Sequence, residues 1–151
     1  MLIIPAKGGC QCGNCLYVLN AKPYVAYACH CRECKKLTAS AFLLCMHVPS
    51  KSLTITKGQA ASRQRGSESG NTLVTWFCGH CGSTLYADNS SRPAIRTVHI
   101  GSLEHPEEIT IDKHIWTKRQ LPWVQLPDTH EVHPEGKDWS EYYPSAINAY
   151  L

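Results

Sequence analysis

CHCRECKK, residues 29–36, sets Cys29, Cys31 and Cys34 within six positions, with His30 inside the run and Arg32, Lys35 and Lys36 around its end. Three readings compete for these sulfurs: half of a disulfide framework, part of a closed structural metal site, or an open site where chemistry happens. The remaining cysteines bear on the choice. Cys10, Cys12 and Cys15 lie in CQCGNC, Cys78 and Cys81 lie in CGHCG, and only Cys45 stands outside a cluster. The opening MLIIPAKGG has a short apolar patch broken by Pro5, with neither a basic leader nor a long apolar core, so it does not read as a signal peptide. The chain is therefore expected in the cytoplasm, where thiols stay reduced, and metal is the better reading of nine cysteines.

A length of 151 residues fits one domain, 1–151, large enough to bury a core. Hydrophobic residues at 43% and charged residues at 18% are ordinary for a globular protein. No apolar run approaches the ~20 residues that span a bilayer, which excludes a membrane helix. A net charge of +3, dispersed along the chain, argues against nucleic acid as a partner.

The segments 16–19, 24–29, 41–48, 52–57, 71–78, 83–87 and 95–103 are rich in β-branched and aromatic residues and are separated by turn formers, which predicts a mainly β fold. RECKKLTA, 32–39, carries helix formers for about two turns and is the one helix expected. Residues 62–71 read as an exposed turn with solvated Arg63 and Arg65, and the proline-rich chain from Leu121 onward reads as irregular coil wrapping the domain.

A two-residue spacer lets both sulfurs of Cys78 and Cys81 face one zinc ion, and Gly82 directly after them can adopt positive φ. Alternation along an extended C-x-C likewise puts Cys10 with Cys12, and Cys29 with Cys31, on one side. The partner of Cys78/Cys81 stays open between Cys12/Cys15 and Cys10/Cys12; each choice gives a closed, structural Cys₄ site. Cys29, Cys31 and Cys34 then supply three ligands, and three ligands with a vacant fourth place describe a catalytic zinc. Cys45, His30 or His47 would close that site. Cys45, however, sits in the apolar run AFLLCMHV and reads as a core thiol, and an extended segment turns His30 away from its neighbours. Three thiolates leave zinc a weak activator of water but a good host for an incoming thiol. His80 is expected exposed, and His99 and His114 packed or hydrogen-bonded rather than catalytic.

GGCQCG, CHCRECKK, FCGHCGSTLY, GSLEHPE and HIWTKRQLPWVQLPD, in that order, resemble the glutathione-dependent formaldehyde-activating enzymes, the family that includes the centromere protein V type. The resemblance implies a zinc-ribbon-like β-tent with two zinc ions per chain. A structural ion would be held by Cys10, Cys12, Cys78 and Cys81, and a functional one by Cys29, Cys31 and Cys34, leaving Cys15 and Cys45 without a matching role. It also implies a carbon-sulfur lyase activity that condenses glutathione with formaldehyde to S-(hydroxymethyl)glutathione. On that reading Arg32, Lys35 and Lys36 would meet the carboxylates of glutathione, and Trp116, Lys118 and Trp123 would line the pocket. Two alternatives stand beside it: a zinc-stabilised binding module with both sites closed, and an enzyme of the same kind using another thiol or aldehyde.

Overall fold

The computed structural model describes residues 1–148. In chain order the first strands are β1 (Ala6–Gly9), β2 (Leu16–Leu19) and β3 (Val25–Cys29), followed by helix α1 (Arg32–Thr38). Strands β4 (Leu43–Pro49), β5 (Leu53–Lys57), β6 (Ala60–Gly66), β7 (Thr72–Cys78), β8 (Thr84–Asn89) and β9 (Ile95–His99) form the middle of the chain. The tail adds β10 (Lys113–Ile115), β11 (Glu131–Val132) and the four-residue helix α2 (Ser145–Asn148). Eight strands join in the order β11-β10-β3-β4-β9-β8-β7-β6, and a small sheet has the order β1-β2-β5. The pairings are antiparallel except where β10 meets β3 and β11. Among the described residues no helix is long and apolar enough to cross a membrane.

Both faces of the large sheet are covered, and alternation along β4 shows how. Leu44, Met46 and Val48 face the small sheet and pack with Tyr17, Leu19 and Leu53. Leu43 and Cys45 face the other way, toward Val25, Tyr27, Cys29, Trp139 and Tyr143. A strand buried on both sides reads as one apolar run, which is why AFLLCMHV carries no polar alternation. On the second face α1 and the tail form the cover: Trp139 stacks on Tyr27 with ring centroids 5.1 Å apart. His47, wholly buried, shares hydrogen bonds with Tyr27 Oη at 2.9 Å and Tyr143 Oη at 2.8 Å.

Three sequence expectations are corrected. Residues 62–71 are mostly exposed, as expected, but are not one turn, because Ala60–Gly66 pairs along its whole length with β7 and the turn begins only beyond it. The expected strand 95–103 ends at His99, where the chain turns into a short 3-10 segment. The tail wraps the molecule as expected but is not all coil, since Glu131–Val132 adds a parallel edge strand to β10.

Candidate metal centres

The first cysteine group sits where the two sheets meet. Cys10 follows β1 and Cys78 ends β7, and the chain doubles back after each: Gly13 N–H donates to the Cys10 carbonyl and Gly82 N–H to the Cys78 carbonyl. Both turns need a left-handed residue, supplied by Gly13 at φ 72° and Gly82 at φ 76°. The sulfurs of Cys10, Cys12, Cys78 and Cys81 consequently lie within 4.8 Å of one another, close enough to share an ion. Cys15 stays outside that group; it is buried and donates its backbone N–H to Cys10 Sγ at 3.2 Å. Ser83, which the sequence did not single out, bridges the two turns. Its hydroxyl accepts the Gln11 N–H at 3.1 Å and lies 3.2 Å from Cys81 Sγ. The Ser83 hydroxyl foremost, with the backbone of Ser83 and Cys12, holds the Cys81 thiol down to about 5.

The second group forms where β3 passes into α1. Cys29 ends the strand, Cys31 is the residue capping the helix at ψ 160°, and Cys34 lies in its first turn. Three sulfurs converge within 4.8 Å, and Cys34 donates its backbone N–H to Cys31 Sγ at 3.3 Å. Contacts with the Cys29 and Cys34 thiols pull Cys31 down to about 2, while Cys31 in turn pushes Cys29 up to about 12. Negative charge in the group therefore collects on the capping sulfur. Three clustered thiols, one of them readily ionised and held by a backbone amide, suit a soft divalent ion such as zinc.

No described residue completes a fourth position in this group. His47 has both ring nitrogens engaged by tyrosines. Cys45 is 3% exposed in the core, with its sulfur 3.9 Å from the Leu43 carbonyl oxygen. His30 turns to the opposite side, where its Nε2 and His114 Nδ1 are 3.1 Å apart; His114 Nε2 is 3.0 Å from His130 Nδ1, forming a row of three imidazoles.

Residues 5–119 match the family described as glutathione-dependent formaldehyde-activating enzyme. The chain belongs to this family. The solved structure of a Rhodobacter sphaeroides protein is similar in fold, with a TM-score of 0.53 and 22% identity over 65% of this chain and 87% of that one. No curated protein matches the sequence.

The other residues marked out in the sequence spread over the surface of this formaldehyde-activating-type fold. Arg32 and Lys36 are exposed on α1, whereas Lys35 donates to the Arg119 carbonyl and ties the helix to the tail. Trp116 packs against the same cluster as Cys31 and Cys34, with the Lys118 ammonium 5.2 Å from its ring centre. Trp123 is 72% exposed, and His80 is exposed in its turn. A cleft of about 1190 Å³ runs from Cys10 and Ser83 past His99 to Leu37 and Leu43 beside the second cysteine group. Neither Trp116, Lys118 nor Trp123 lines it.

Proposed function

We propose that the protein is a zinc-dependent carbon-sulfur lyase that joins glutathione to formaldehyde, giving S-(hydroxymethyl)glutathione. The observation that carries this reading is the convergence of Cys29, Cys31 and Cys34 with no fourth protein donor among the described residues. Cys10, Cys12, Cys78 and Cys81 would hold a structural ion that fastens the small sheet to the large one. Zinc bound by the second group would supply positive charge that favours the thiolate form of a sulfur arriving at the open position.

The chain's own residues orient and recognise. Cys34 N–H fixes the Cys31 sulfur, β3 fixes Cys29, and Arg32 and Lys36, exposed on α1, would meet a carboxylate of the substrate. In the reaction the glutathione sulfur forms a bond to the formaldehyde carbon, the carbonyl π bond breaks, and the proton lost by the thiol ends on the new hydroxyl oxygen. No oxidant or reductant is needed.

Cobalt substitution tests the reading, because thiolate-to-cobalt absorption reports ligands at the open position. Glutathione should change that absorption saturably in the wild type and not in Cys31→Ser. A spectrum indifferent to glutathione would favour the closed binding module, and a response to other small thiols as strong as to glutathione would point to a different thiol substrate.

A further inference from the structure

His99 is 3% exposed, yet neither of its ring nitrogens has a hydrogen-bond partner among the described residues, and Nδ1 is sealed from solvent. A buried imidazole whose nitrogens find no partner is costly, because it has given up its hydrogen bonds to water and gained none in return. It lines the large cleft, whose other hydroxyls are better supplied: Ser102 Oγ is bonded to Tyr17 Oη and lies within hydrogen-bond distance of the Leu85 and His99 carbonyls. Burial holds His99 down to about 4, so at neutral pH it is uncharged, offering one donor and one acceptor nitrogen.

The position of His99 relates the cleft to the second cysteine group. In the large sheet Cys29 pairs with Leu43, and Cys45 on the same strand pairs with His99. Two strand spacings of ~4.8 Å and a two-residue offset at ~3.4 Å per residue put the Cα atoms of Cys29 and His99 roughly 12 Å apart, with both side chains on the same face of the sheet. Leu37 and Leu43, which line the cleft, also pack in the cluster that contains Cys29, Cys31 and Cys34. Elsewhere along the cleft lie Lys7 and Glu104, adjacent through the Glu104 N–H to Lys7 carbonyl bond. Both side chains are exposed, and neither has an ion-pair partner among the described residues. One cation and one anion on backbone neighbours along the cleft match a ligand end carrying both a carboxylate and an ammonium group.

We propose that this cleft seats the body of a zwitterionic peptide thiol, with its amino-acid end at Lys7 and Glu104, and that His99 is a positioning residue that hydrogen-bonds a peptide group in between. The inference rests on the lyase reading above and adds where the thiol's carrier lies.

Calorimetric titration of the zinc-loaded full chain with glutathione tests it, alongside thermal unfolding of each variant. His99→Leu should weaken binding about tenfold or more, as expected for one lost buried hydrogen bond. His99→Gln, which keeps a donor and an acceptor, should restore most of it. Gly101→Val should also weaken binding, because Gly101 lines the cleft and a Cβ there meets nothing within 4 Å, so its side chain fills the ligand space without disturbing the core. This second variant decides the matter if His99→Leu folds poorly. Wild-type affinity in both His99→Leu and Gly101→Val overturns the inference and leaves the lyase reading intact, as does a loss in His99→Leu that His99→Gln does not rescue. Wild-type protein that takes up no glutathione overturns the lyase reading itself, and the inference with it.

Discussion

Ser83 and His99 show what a side chain's type hides until its neighbours are known. Serine directly after CGHCG looks like a turn residue, and only the return of the chain from Cys10 brings Gln11 N–H and Cys81 Sγ to the same hydroxyl. His99, on an apolar strand, reads as packed, which it is; that its nitrogens lack partners is a property of the surrounding core and has no sequence signal. The cysteines were far more legible, because metal-ligand spacing is local chemistry; spacing alone left Cys10 and Cys15 open, the family resemblance pointed to Cys10, and the turn at Gly13 brings its sulfur to Cys12, Cys78 and Cys81. Burial of His99 has a consequence for acid stability. Its folded-state value of about 4 lies below the ordinary histidine value of about 6.5, so between those limits the unfolded chain binds more protons than the folded one. Stability is full above about pH 6.5 and falls as the pH drops toward about 4, by up to roughly 3 kcal/mol for this one group. Chemical denaturation across that range should show a shallower decline in His99→Leu than in the wild type, since protonation of the metal-binding thiols affects both alike. Parallel curves would mean that His99 is not held neutral by the fold.

At the scale of elements, the strands that bury a β-branched or aromatic face over four or more residues were readable, whereas the glycine-ended β1 (AKGG), the three-residue β10 (KHI), β6 and β11 escaped for physical reasons. Strand β6 is made of AASRQRG, with a polar run from Ser62 to Arg65, no β-branched or aromatic residue and no buried position, so its order comes from the ladder to β7 rather than from a face of its own. Strand β11 spans two residues, too short for any periodic pattern. The tail crosses the second face of the large sheet as a strap, and its hold there is specific: Tyr143 reaches His47 Nδ1, and Tyr24 lies against the Tyr143 ring at 5.7 Å. Tyr143→Phe keeps the ring and removes the hydroxyl, leaving a wholly buried imidazole nitrogen without a partner. The expected cost is about 1–3 kcal/mol, a drop of roughly 2–10 °C in the unfolding midpoint. Zinc content should not change, because His47 is not a ligand of either group. A variant as stable as the wild type would show that the strap is held by ring packing alone.

Across the whole molecule the two cysteine groups occupy mechanically different places. Cys10 and Cys12 follow β1 of the small sheet, while Cys78 and Cys81 lie at the end of β7 in the large one, so an ion there links two layers that otherwise meet through side-chain packing. Cys29, Cys31 and Cys34 are neighbours in sequence at one strand-to-helix turn, and an ion there closes only a loop of a few residues. Because the entropy of closing a loop grows with its length, constraining residues 12 and 78 limits the unfolded chain more than constraining 29 and 34. Cys12→Ser and Cys31→Ser should each leave one zinc per chain by native mass spectrometry, but their stabilities should separate. Loss of about 3 kcal/mol or more, near 10 °C in a chain of this size, is expected for Cys12→Ser, and a shift of only a few degrees for Cys31→Ser. Equal destabilisation would mean that both ions hold the fold together, and the second group would then have to be read as a closed structural site rather than a place for a substrate thiol.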